Sequence, residues 1–362
     1  MSGDVYEQLA QRLDALPNGY PRTKGGVELK ILKKIFTEEE AEITCSLKLL
    51  PQTPEQIAEG LGHDPEGMAD KLENMVKRGE IIGVGPLEGR MYQIVPFVFG
   101  IYEFQLPRMD KELAELMEQY IEKGGLFEEV GKHKPSIMHT VPIEQAIDAQ
   151  LEIHPYENVR ELMNKAKAFV TRDCICRKEQ EVLGNRCDKP QANCISMSLR
   201  EDGFGIDYVG RAVDREEAER IMKEAEEAGL VHATMNITDD YYHFCNCCTC
   251  CCGLLRGTKK FNKPGVLAKS NYYAAIDPDE CVSCGTCADE RCPMEAISEG
   301  DDAYEVNRER CIGCGVCVPT CPSEAMSLVR KPEEECIQAP ANMVSWMMER
   351  SMNTGKSLEQ FM

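Results

Sequence analysis

Residues 281–293 read Cys-Val-Ser-Cys-Gly-Thr-Cys-Ala-Asp-Glu-Arg-Cys-Pro, and residues 311–322 read Cys-Ile-Gly-Cys-Gly-Val-Cys-Val-Pro-Thr-Cys-Pro. The cysteines of the first run are separated by two, two and four residues, and those of the second by two, two and three. The text then repeats, with Pro-Met-Glu-Ala-Ile-Ser after Cys292 and Pro-Ser-Glu-Ala-Met-Ser after Cys321. A period of about 30 residues indicates a duplicated unit of loop, helix and strand.

The second run matches the bacterial spacing for a [4Fe-4S] cluster, and the first differs by one extra residue. Residues 272–330 therefore resemble the two-cluster bacterial ferredoxins, in which the last cysteine of each run ligates the other cluster. This resemblance implies that one cluster is held by Cys281, Cys284, Cys287 and Cys321, and the other by Cys311, Cys314, Cys317 and Cys292. Two structural zinc sites are the alternative, but they would not explain the three-plus-one runs ending in Cys-Pro.

Composition limits the class of protein and its location. The chain has 362 residues, 20 cysteines and a net charge of −21, so we expect two to four compact units rather than a small disulfide scaffold. The first residues show no signal peptide, and the longest apolar stretch, Ile94–Tyr102, is too short to span a bilayer. These features predict a cytoplasmic protein with reduced thiols, and exposed clusters of this type suggest an anaerobic host.

The N-terminal part shows the pattern of a small helical domain. Apolar spacing predicts a helix over Glu28–Lys48, a short helix over Glu55–Leu61 and a third over Pro65–Arg78. Two short strands, Ile81–Gly85 and Met91–Val95, follow around a turn. This order of elements resembles the winged helix-turn-helix family over residues 28–100.

That family usually binds DNA, so the charge of this region decides the interpretation. Residues 28–104 contain fourteen acidic and eight basic residues, and helix 65–78 has no net charge. DNA affinity depends largely on neutralising phosphates with a basic face, which this region lacks. We therefore expect no nucleic-acid partner, and a protein-docking or structural role instead.

Ten further cysteines lie in the middle of the chain: Cys174, Cys176, Cys187, Cys194, Cys245, Cys247, Cys248, Cys250, Cys251 and Cys252. They predict one or two further iron–sulfur clusters, with zinc or a redox dithiol as the alternatives. The four cysteines of 174–194 are either self-contained or share a site with 245–252. His243 is a possible ligand, but we expect it to be an ordinary loop residue. This segment resembles multi-cysteine iron–sulfur proteins of anaerobes.

Flanking patterns place these cysteines among regular elements. Apolar spacing predicts one helix over Glu157–Thr171 and another from the Asp214 cap to Ala228, followed by a strand over Leu230–Ile237. Positive charge near the cysteines would stabilise a thiolate-ligated cluster. Such residues are Arg177, Lys178, Arg186, Lys189, Arg256, Lys259, Lys260, Lys263 and Lys269. A solvated tether or a docking strip for an acidic partner would also explain the segment from 256 to 269.

Together these patterns predict an α+β chain. We expect a winged-helix-like domain at 1–105, a helical connector at 106–155, a mixed α/β cysteine-rich iron–sulfur domain at 156–270, a dicluster ferredoxin domain at 271–332 and a helical tail at 333–362.

The leading functional hypothesis is a non-catalytic electron-transfer subunit of a cytoplasmic multi-subunit oxidoreductase, with redox proteins as its partners. The alternatives are a redox- or iron-sensing winged-helix regulator, and a reductase that binds substrate at an open-site cluster near 245–252. We find no motif for nucleotide, flavin or hydrolase chemistry.

Overall fold

The fold is a mixture of helices and strands built around one continuous apolar core. A computed structural model of the chain describes residues 4–123, 125–148, 151, 153, 155–204, 209–239, 243–260 and 265–362. The N-terminal elements are α1 (Val5–Ala15), α2 (Val27–Ile35), α3 (Glu38–Ser46), α4 (Pro54–Leu61), α5 (Met68–Lys77), β1 (Ile82–Val84) and β2 (Met91–Gln93).

The prediction of one helix over Glu28–Lys48 is wrong, because the chain forms α2 and α3 with a break between them. Phe36 has extended backbone angles, and the side chain of Thr37 accepts a hydrogen bond from the N–H of Glu40. Glu40 in turn accepts from the N–H of Thr37, which completes a capping box. A capping box starts a new helix by satisfying free backbone donors, so this local signal outweighs the continuous apolar spacing.

Helices α2 to α5 precede the β1–β2 hairpin, one helix more than the three that the winged-helix prediction contains. Pairing of β1 with β2 is antiparallel, with Gly83 opposite Tyr92. The basic side chain of the hairpin, Arg90, is buried and forms an ion pair with Glu73 of α5 at 3.1 Å. Membership of this region in the winged-helix family stays a prediction.

A seven-stranded sheet forms the centre of the molecule. The elements of this part are α6 (Tyr102–Phe104), α7 (Lys111–Lys123), α8 (Leu126–Lys132), β3 (Met138–Val141), α9 (Val159–Lys165), β4 (Ala168–Arg172), α10 (Ile175–Val182), β5 (Cys194–Ser198), β6 (Arg211–Val213), α11 (Arg215–Glu227), β7 (Val231–Met235), β8 (His243–Cys247), α12 (Gly253–Lys259) and β9 (Leu267–Ala268). The strands of the sheet lie in the order β6-β4-β5-β8-β7-β3-β9, and all neighbours are antiparallel except the parallel pair β3 and β9.

The predicted helix over Glu157–Thr171 is also wrong, because only its first half is helical. Asn158 caps α9 by accepting from the N–H of Glu161, and Ala166 then turns to extended angles. The rest of the segment forms β4, in which Phe169 and Val170 pair with β5. Aromatic and β-branched residues favour a strand once a neighbouring strand is available, and helical spacing alone does not reveal that neighbour.

The C-terminal part carries the duplicated cysteine runs between short strands. Its elements are β10 (Tyr272–Ile276), β11 (Ile297–Glu299), β12 (Tyr304–Val306), β13 (Met326–Arg330) and α13 (Met343–Thr354). Strand β10 pairs with β13, and β11 pairs with β12, both antiparallel. Helix α13 then returns to the N-terminal half, where Arg350 donates to the carbonyl of Pro17 at 2.9 Å.

One apolar core therefore runs from Tyr6 of α1 to Phe361 at the end of the chain. None of the helices formed by the described residues is long and apolar enough to cross a membrane.

Candidate metal centres

The eight cysteines of the duplicated runs surround two separate hollows. Cys281, Cys284, Cys287 and Cys321 line one hollow, and Cys292, Cys311, Cys314 and Cys317 line the other. Each hollow contains about 320 Å³ of space free of protein atoms, including its mouth. These two sets are the ones that the ferredoxin resemblance implies, and each could hold a four-iron cluster with one thiolate for every iron atom. We call them the outer set and the inner set, respectively.

The outer and inner sets differ in their access to solvent. Cys284 of the outer set is exposed and none of its cysteines is buried, whereas Cys311, Cys314 and Cys317 of the inner set are all buried. Burial raises the pKa of Cys314 to about 12, so this thiol needs a bound cation before it ionises. The outer set therefore lies at the surface of the protein and the inner set within it.

The extra residue of the first run is absorbed in one turn of π-helix, Cys287–Arg291. The N–H of Cys292 donates to the carbonyl of Cys287 at 3.0 Å, which is the i to i+5 bond of such a turn. Cys292 thus reaches the inner set although its run is one residue longer.

The ten central cysteines come together where three neighbouring strands end. Cys174 and Cys176 follow β4 at the start of α10, Cys194 begins β5, and Cys245 and Cys247 lie on β8. Pairing of Arg172 with Cys194, and of Ser196 with His243, aligns these strand ends. The two sequence segments therefore lie together, and Cys187 and Cys194 are each grouped with residues of 243–251.

One central group consists of four cysteines, Cys187, Cys248, Cys250 and Cys251, which we call the thiolate knot. All four sulfur atoms lie within 4.8 Å of one another. Cys187 Sγ is 3.5 Å from Cys250 Sγ and 3.9 Å from Cys248 Sγ, and Cys250 Sγ is 3.7 Å from Cys251 Sγ. The N–H of Lys189 donates to Cys187 Sγ at 3.4 Å.

The second central group is centred on His243, which begins β8 and is buried, so the prediction that it is a loop residue is wrong. Its Nε2 lies 3.2 Å from Cys245 Sγ and 3.5 Å from Cys194 Sγ, while its Nδ1 lies 3.2 Å from the hydroxyl of Ser196. The hydroxyl holds the ring so that Nε2 faces the two thiols, as outer hydrogen bonds do for metal-ligating histidines. A hydrogen bond from Cys194 lowers the pKa of Cys245.

Four more cysteines continue this second group. Cys174 and Cys252 raise the pKa of Cys176, and Cys245 and Cys252 raise the pKa of Cys247, which places these thiols beside one another. Six cysteines and one histidine are therefore adjacent, which is more than one cluster requires.

The alternation of Cys194 with Ser196, and of His243 with Cys245 and Cys247, is the two-residue period of a strand. This alternation is the signal in the sequence that could have identified Ser196 and His243.

Of the basic residues that were expected near the central cysteines, Arg177 lies beside them. It is fully buried, and although burial lowers the pKa of its guanidinium, the neighbouring Cys174 and Cys248 raise that pKa. Its Nη2 donates to the carbonyl of Asn246 at 2.9 Å.

The basic residues of 256–269 have acidic or carbonyl partners within the chain instead. Arg256 forms an ion pair with Glu118 of α7, Lys260 with Glu122 at 2.8 Å, and Lys259 with Glu295 at 2.8 Å. Lys269 donates to the carbonyl of Arg308 at 3.2 Å, and Lys263 lies outside the described residues. In this segment the positive charges thus join elements of the fold.

A cavity adjoins the second central group on the side of α6, α7 and α8. It contains about 840 Å³ of space free of protein atoms, including its mouth, and its apolar wall includes Phe99, Met117, Phe127 and Leu254. On the polar side, the hydroxyl of Tyr102 donates to the carboxylate of Glu179. Burial raises the pKa of Glu179 to about 7, so this group can hold or release a proton near neutral pH.

Comparison with known proteins gives one matching family and several partial relatives. Residues 273–322 match the family model of the 4Fe-4S dicluster domain. Hydrogenase-4 component A of Escherichia coli (strain K12) is 34% identical over 85 residues, which are 23% of this chain and 41% of the relative. A ferredoxin of Rickettsia felis is 46% identical over 57 residues, 15% of this chain and 48% of the relative.

A component of the Na⁺-translocating ferredoxin:NAD⁺ oxidoreductase complex of Acetobacterium woodii is 36% identical over 85 residues, 19% of this chain and 25% of the relative. The chain thus spans less than half the length of each of these three relatives. No solved structure matches the chain. The C-terminal part is accordingly a 4Fe-4S dicluster domain, and the protein holds [4Fe-4S] clusters.

Proposed function

We propose that this chain is the iron–sulfur electron-transfer subunit of a cytoplasmic, multi-subunit oxidoreductase. Clusters held by the outer set (Cys281, Cys284, Cys287, Cys321), by the inner set (Cys292, Cys311, Cys314, Cys317) and by part of the second central group would supply one-electron redox chemistry. The named relatives that are subunits or components of larger enzymes support this class of protein. None of the twenty cysteines, all of which lie in the described part of the chain, forms a disulfide, which fits a reducing compartment.

The observation that carries this proposal is the difference in exposure between the outer and inner sets. A redox partner can approach Cys284 from solvent, but it cannot reach Cys314, which is buried. Electron exchange with a partner would therefore take place at the outer set, and the inner set would connect it with the interior.

Contacts of the inner set support an electron path that leads from the outer set through the inner set to the interior. The N–H of Ile143, just after β3 of the central sheet, donates to the carbonyl of Cys314 at 3.0 Å. Arg291, between the two sets, donates to the carbonyls of Val316 at 3.3 Å and of Glu227 at 3.1 Å, at the end of α11. The inner set is thus fixed against the same sheet that carries the central cysteines.

The test uses the full chain, purified without oxygen, and reduced methyl viologen as the electron donor in a stopped-flow experiment. We expect Cys284→Ser to slow the first phase of electron uptake several-fold, because the exposed set is the site of entry. The matched variant Cys314→Ser removes a ligand from the other set, and we expect the first phase to keep its rate while fewer electrons are taken up.

Two results would contradict the proposal. Equal slowing in both variants would mean that neither set is the preferred entrance. An unchanged rate and electron count in both variants would mean that these cysteines do not hold the groups that accept the electrons. The variant Cys336→Ser, at an isolated and partly buried cysteine, controls for the loss of any thiol.

A second candidate function, a reductase, is favoured by the cavity beside Cys194, His243 and Cys245. Three ligands facing a cavity leave a position for substrate, as catalytic metal sites do. Glu179 and Tyr102 at this cavity could supply a proton. If the purified chain alone reduces a substrate with viologen electrons, and Cys247→Ser abolishes this activity, the chain is an enzyme. If Cys247→Ser only slows the turnover of a partner enzyme and leaves the partner's dye-linked assay intact, the central cluster is a relay.

The proposal also assigns residues 1–105 a docking or scaffolding role, with the cysteine-rich domain at 156–270 and the dicluster domain at 271–332 as the redox parts. Basic side chains of the N-terminal region are engaged by its own acids, for example Lys71 by Glu39 and Arg90 by Glu73. Ion pairs of this kind reduce the positive charge that is available for phosphate contacts.

A further inference from the structure

We infer that the thiolate knot, Cys187, Cys248, Cys250 and Cys251, holds a single metal ion in a tetrahedral, four-thiolate site. The sequence predicts further iron–sulfur clusters for the central cysteines, with zinc as one alternative, and the positions of these four favour a single ion. The inference rests on sulfur–sulfur distances, on the hydrogen bonds to the sulfur atoms and on the charge beside them.

The distances between the sulfur atoms distinguish the two kinds of site. Four thiolates at tetrahedral positions about 2.3 Å from one ion lie about 3.8 Å apart. In a cubane each cysteine binds a different iron atom at an outer corner, which separates the thiolates by roughly 6 Å. The measured distances in the thiolate knot are 3.5, 3.7 and 3.9 Å, and all four atoms lie within 4.8 Å.

The dicluster domain provides an internal comparison. Within the described part of the chain, the thiolate knot is the one group of four cysteines whose sulfur atoms all lie within 4.8 Å. The outer and inner sets do not meet this limit, and each instead surrounds a hollow of about 320 Å³. The same fold thus spaces eight cysteines for large groups and contracts four others to the size of one ion.

Surrounding groups suit a negatively charged four-thiolate site. A divalent ion with four thiolates carries a net charge of −2, and Cys248 is close enough to the buried guanidinium of Arg177 to raise its pKa. The N–H of Lys189 donates to Cys187 Sγ at 3.4 Å, a contact that stabilises a bound thiolate. Four protein ligands leave no open position, so the site is structural rather than catalytic.

The role of this ion follows from the elements that it joins. Cys187 lies between α10 and β5, whereas Cys248, Cys250 and Cys251 lie between β8 and α12. Binding one ion would fix the 248–252 loop, and with it Cys252, which contacts Cys176 and Cys247 in the second central group. Zn²⁺ and Fe²⁺ share the required preference for four thiolates.

The experiment measures the metal content of the full chain after anaerobic purification. We expect one zinc ion per chain, or one high-spin mononuclear iron, in addition to the cluster iron. Purification from zinc-replete and from iron-replete, zinc-poor cultures distinguishes the two metals. X-ray absorption at the edge of that metal should show four sulfur neighbours at about 2.3 Å and no iron neighbour.

Variants then assign the ion to these residues. Cys250→Ser should lose that one ion and keep the iron of the outer and inner sets, whereas Cys336→Ser should lose neither. Loss of about four iron atoms in Cys250→Ser, from a wild type that holds no mononuclear metal, would show that the group belongs to a cubane. If Cys250→Ser does not fold, absorption spectra of wild-type protein grown with Co²⁺ still decide, since a tetrahedral thiolate site gives intense visible bands. Wild-type protein with neither a mononuclear metal nor these bands would overturn the inference.

Discussion

The backbone N–H of Ile143 donates a hydrogen bond to the carbonyl oxygen of Cys314 at 3.0 Å. This bond joins the turn after β3 to the buried inner set of cysteines. The next residue, Gly315, has a φ of +76° and lies against the same turn, where an added Cβ would come 2.5 Å from Cβ of Ala146. Glycine at 315 thus permits both the left-handed backbone and the close approach of the dicluster domain to the sheet.

The first prediction concerns this close approach. Gly315→Ala should destabilise the protein by about 2 kcal/mol more than Gly285→Ala and should accelerate the loss of cluster absorbance on dilution into denaturant. Gly285 is the equivalent residue of the first run, with a φ of +80°, so both variants carry the same backbone strain. An added Cβ there would meet the side-chain oxygens of Asp289 and Tyr304, at 2.9 and 3.0 Å, and the Asp289 end can move away.

Denaturant unfolding under anaerobic conditions measures this difference. Equal destabilisation by the two alanines would contradict the prediction, because backbone strain alone would then explain both effects. A larger effect of Gly285→Ala would mean that the outer set is the more tightly packed one.

The second prediction concerns pH and the buried carboxyl of Glu179. Burial raises its pKa to about 7 in the folded protein, above the value near 4.5 of an exposed glutamate, while its hydrogen bond with Tyr102 opposes this rise. The folded state thus binds a proton that the unfolded state releases between these two values. The stabilisation that protonated Glu179 contributes is fully present below pH 4.5 and is lost as the pH rises through 7.

Replacing Glu179 by Gln should remove this loss of stability, which amounts to about 3 kcal/mol at most. The free energy of unfolding, measured from pH 5.5 to 8, should therefore fall less steeply with pH in Glu179→Gln than in the wild type. Glu181→Gln, two residues further along α10 and one-third exposed, is the matched control and should keep the wild-type slope. Parallel curves for Glu179→Gln and wild type would contradict the assigned pKa.

Signals that are local in the sequence predicted their part of the fold well. Asp214 accepts from the N–H of Glu217 to start α11, and Gly229 follows its end with a φ of +75°. Each cysteine run likewise supplies three of the four cysteines of one set within seven residues, so most of that set's arrangement is determined locally in the sequence. A cap or a ligand loop depends on neighbours in the chain, so its residues are sufficient to identify it.

Features that depend on the order of strands in the sheet could not be predicted from local signals in the sequence. The segment with Phe169 and Val170 has the apolar spacing of a helix, and only pairing with β5 makes it a strand. The way in which the ten central cysteines divide into two groups depends on β5 and β8 being neighbours, since that pairing brings Cys194 to His243. Antiparallel contacts between distant segments are set by the whole sheet, and a single sequence does not reveal the register of their pairing.

The third prediction concerns Arg350, which joins α13 to the N-terminal half. It is fully buried and donates to four backbone carbonyls, those of Pro17, Val130, His133 and Pro135. Burial lowers the pKa of its guanidinium to about 10. Arg350→Leu should cost about 3–5 kcal/mol, because four carbonyls would lose their buried donor.

Met348→Ala, on an exposed position of the same helix, should change the stability by less than about 0.5 kcal/mol. Thermal or denaturant unfolding of both variants provides the comparison. If Arg350→Leu were as stable as Met348→Ala, helix α13 would not be part of the cooperative core that runs from Tyr6 to Phe361.

The last prediction is that the N-terminal region does not recognise DNA. Lys71 on α5 forms an ion pair with Glu39, Arg90 of the hairpin lies 3.1 Å from Glu73, and Arg78 lies 2.6 Å from Glu80. Phosphate contacts would have to compete with these internal carboxylates, and the net charge of the surrounding region is negative. We therefore expect no consensus from selection on random duplexes at physiological salt, with either cluster-loaded or cluster-free protein.

The variant Glu39→Gln removes the carboxylate that engages the exposed Lys71, and it serves as the positive control. It should bind duplex DNA weakly and without sequence preference, with an affinity that falls steeply as salt increases, because phosphate contacts release counterions. Wild-type protein should show neither that affinity nor that salt dependence in the same fluorescence anisotropy assay. Recovery of a consensus bound by the cluster-loaded wild type would instead favour a redox-sensing regulator over an electron-transfer subunit, since α5 would then reach base edges despite its carboxylates.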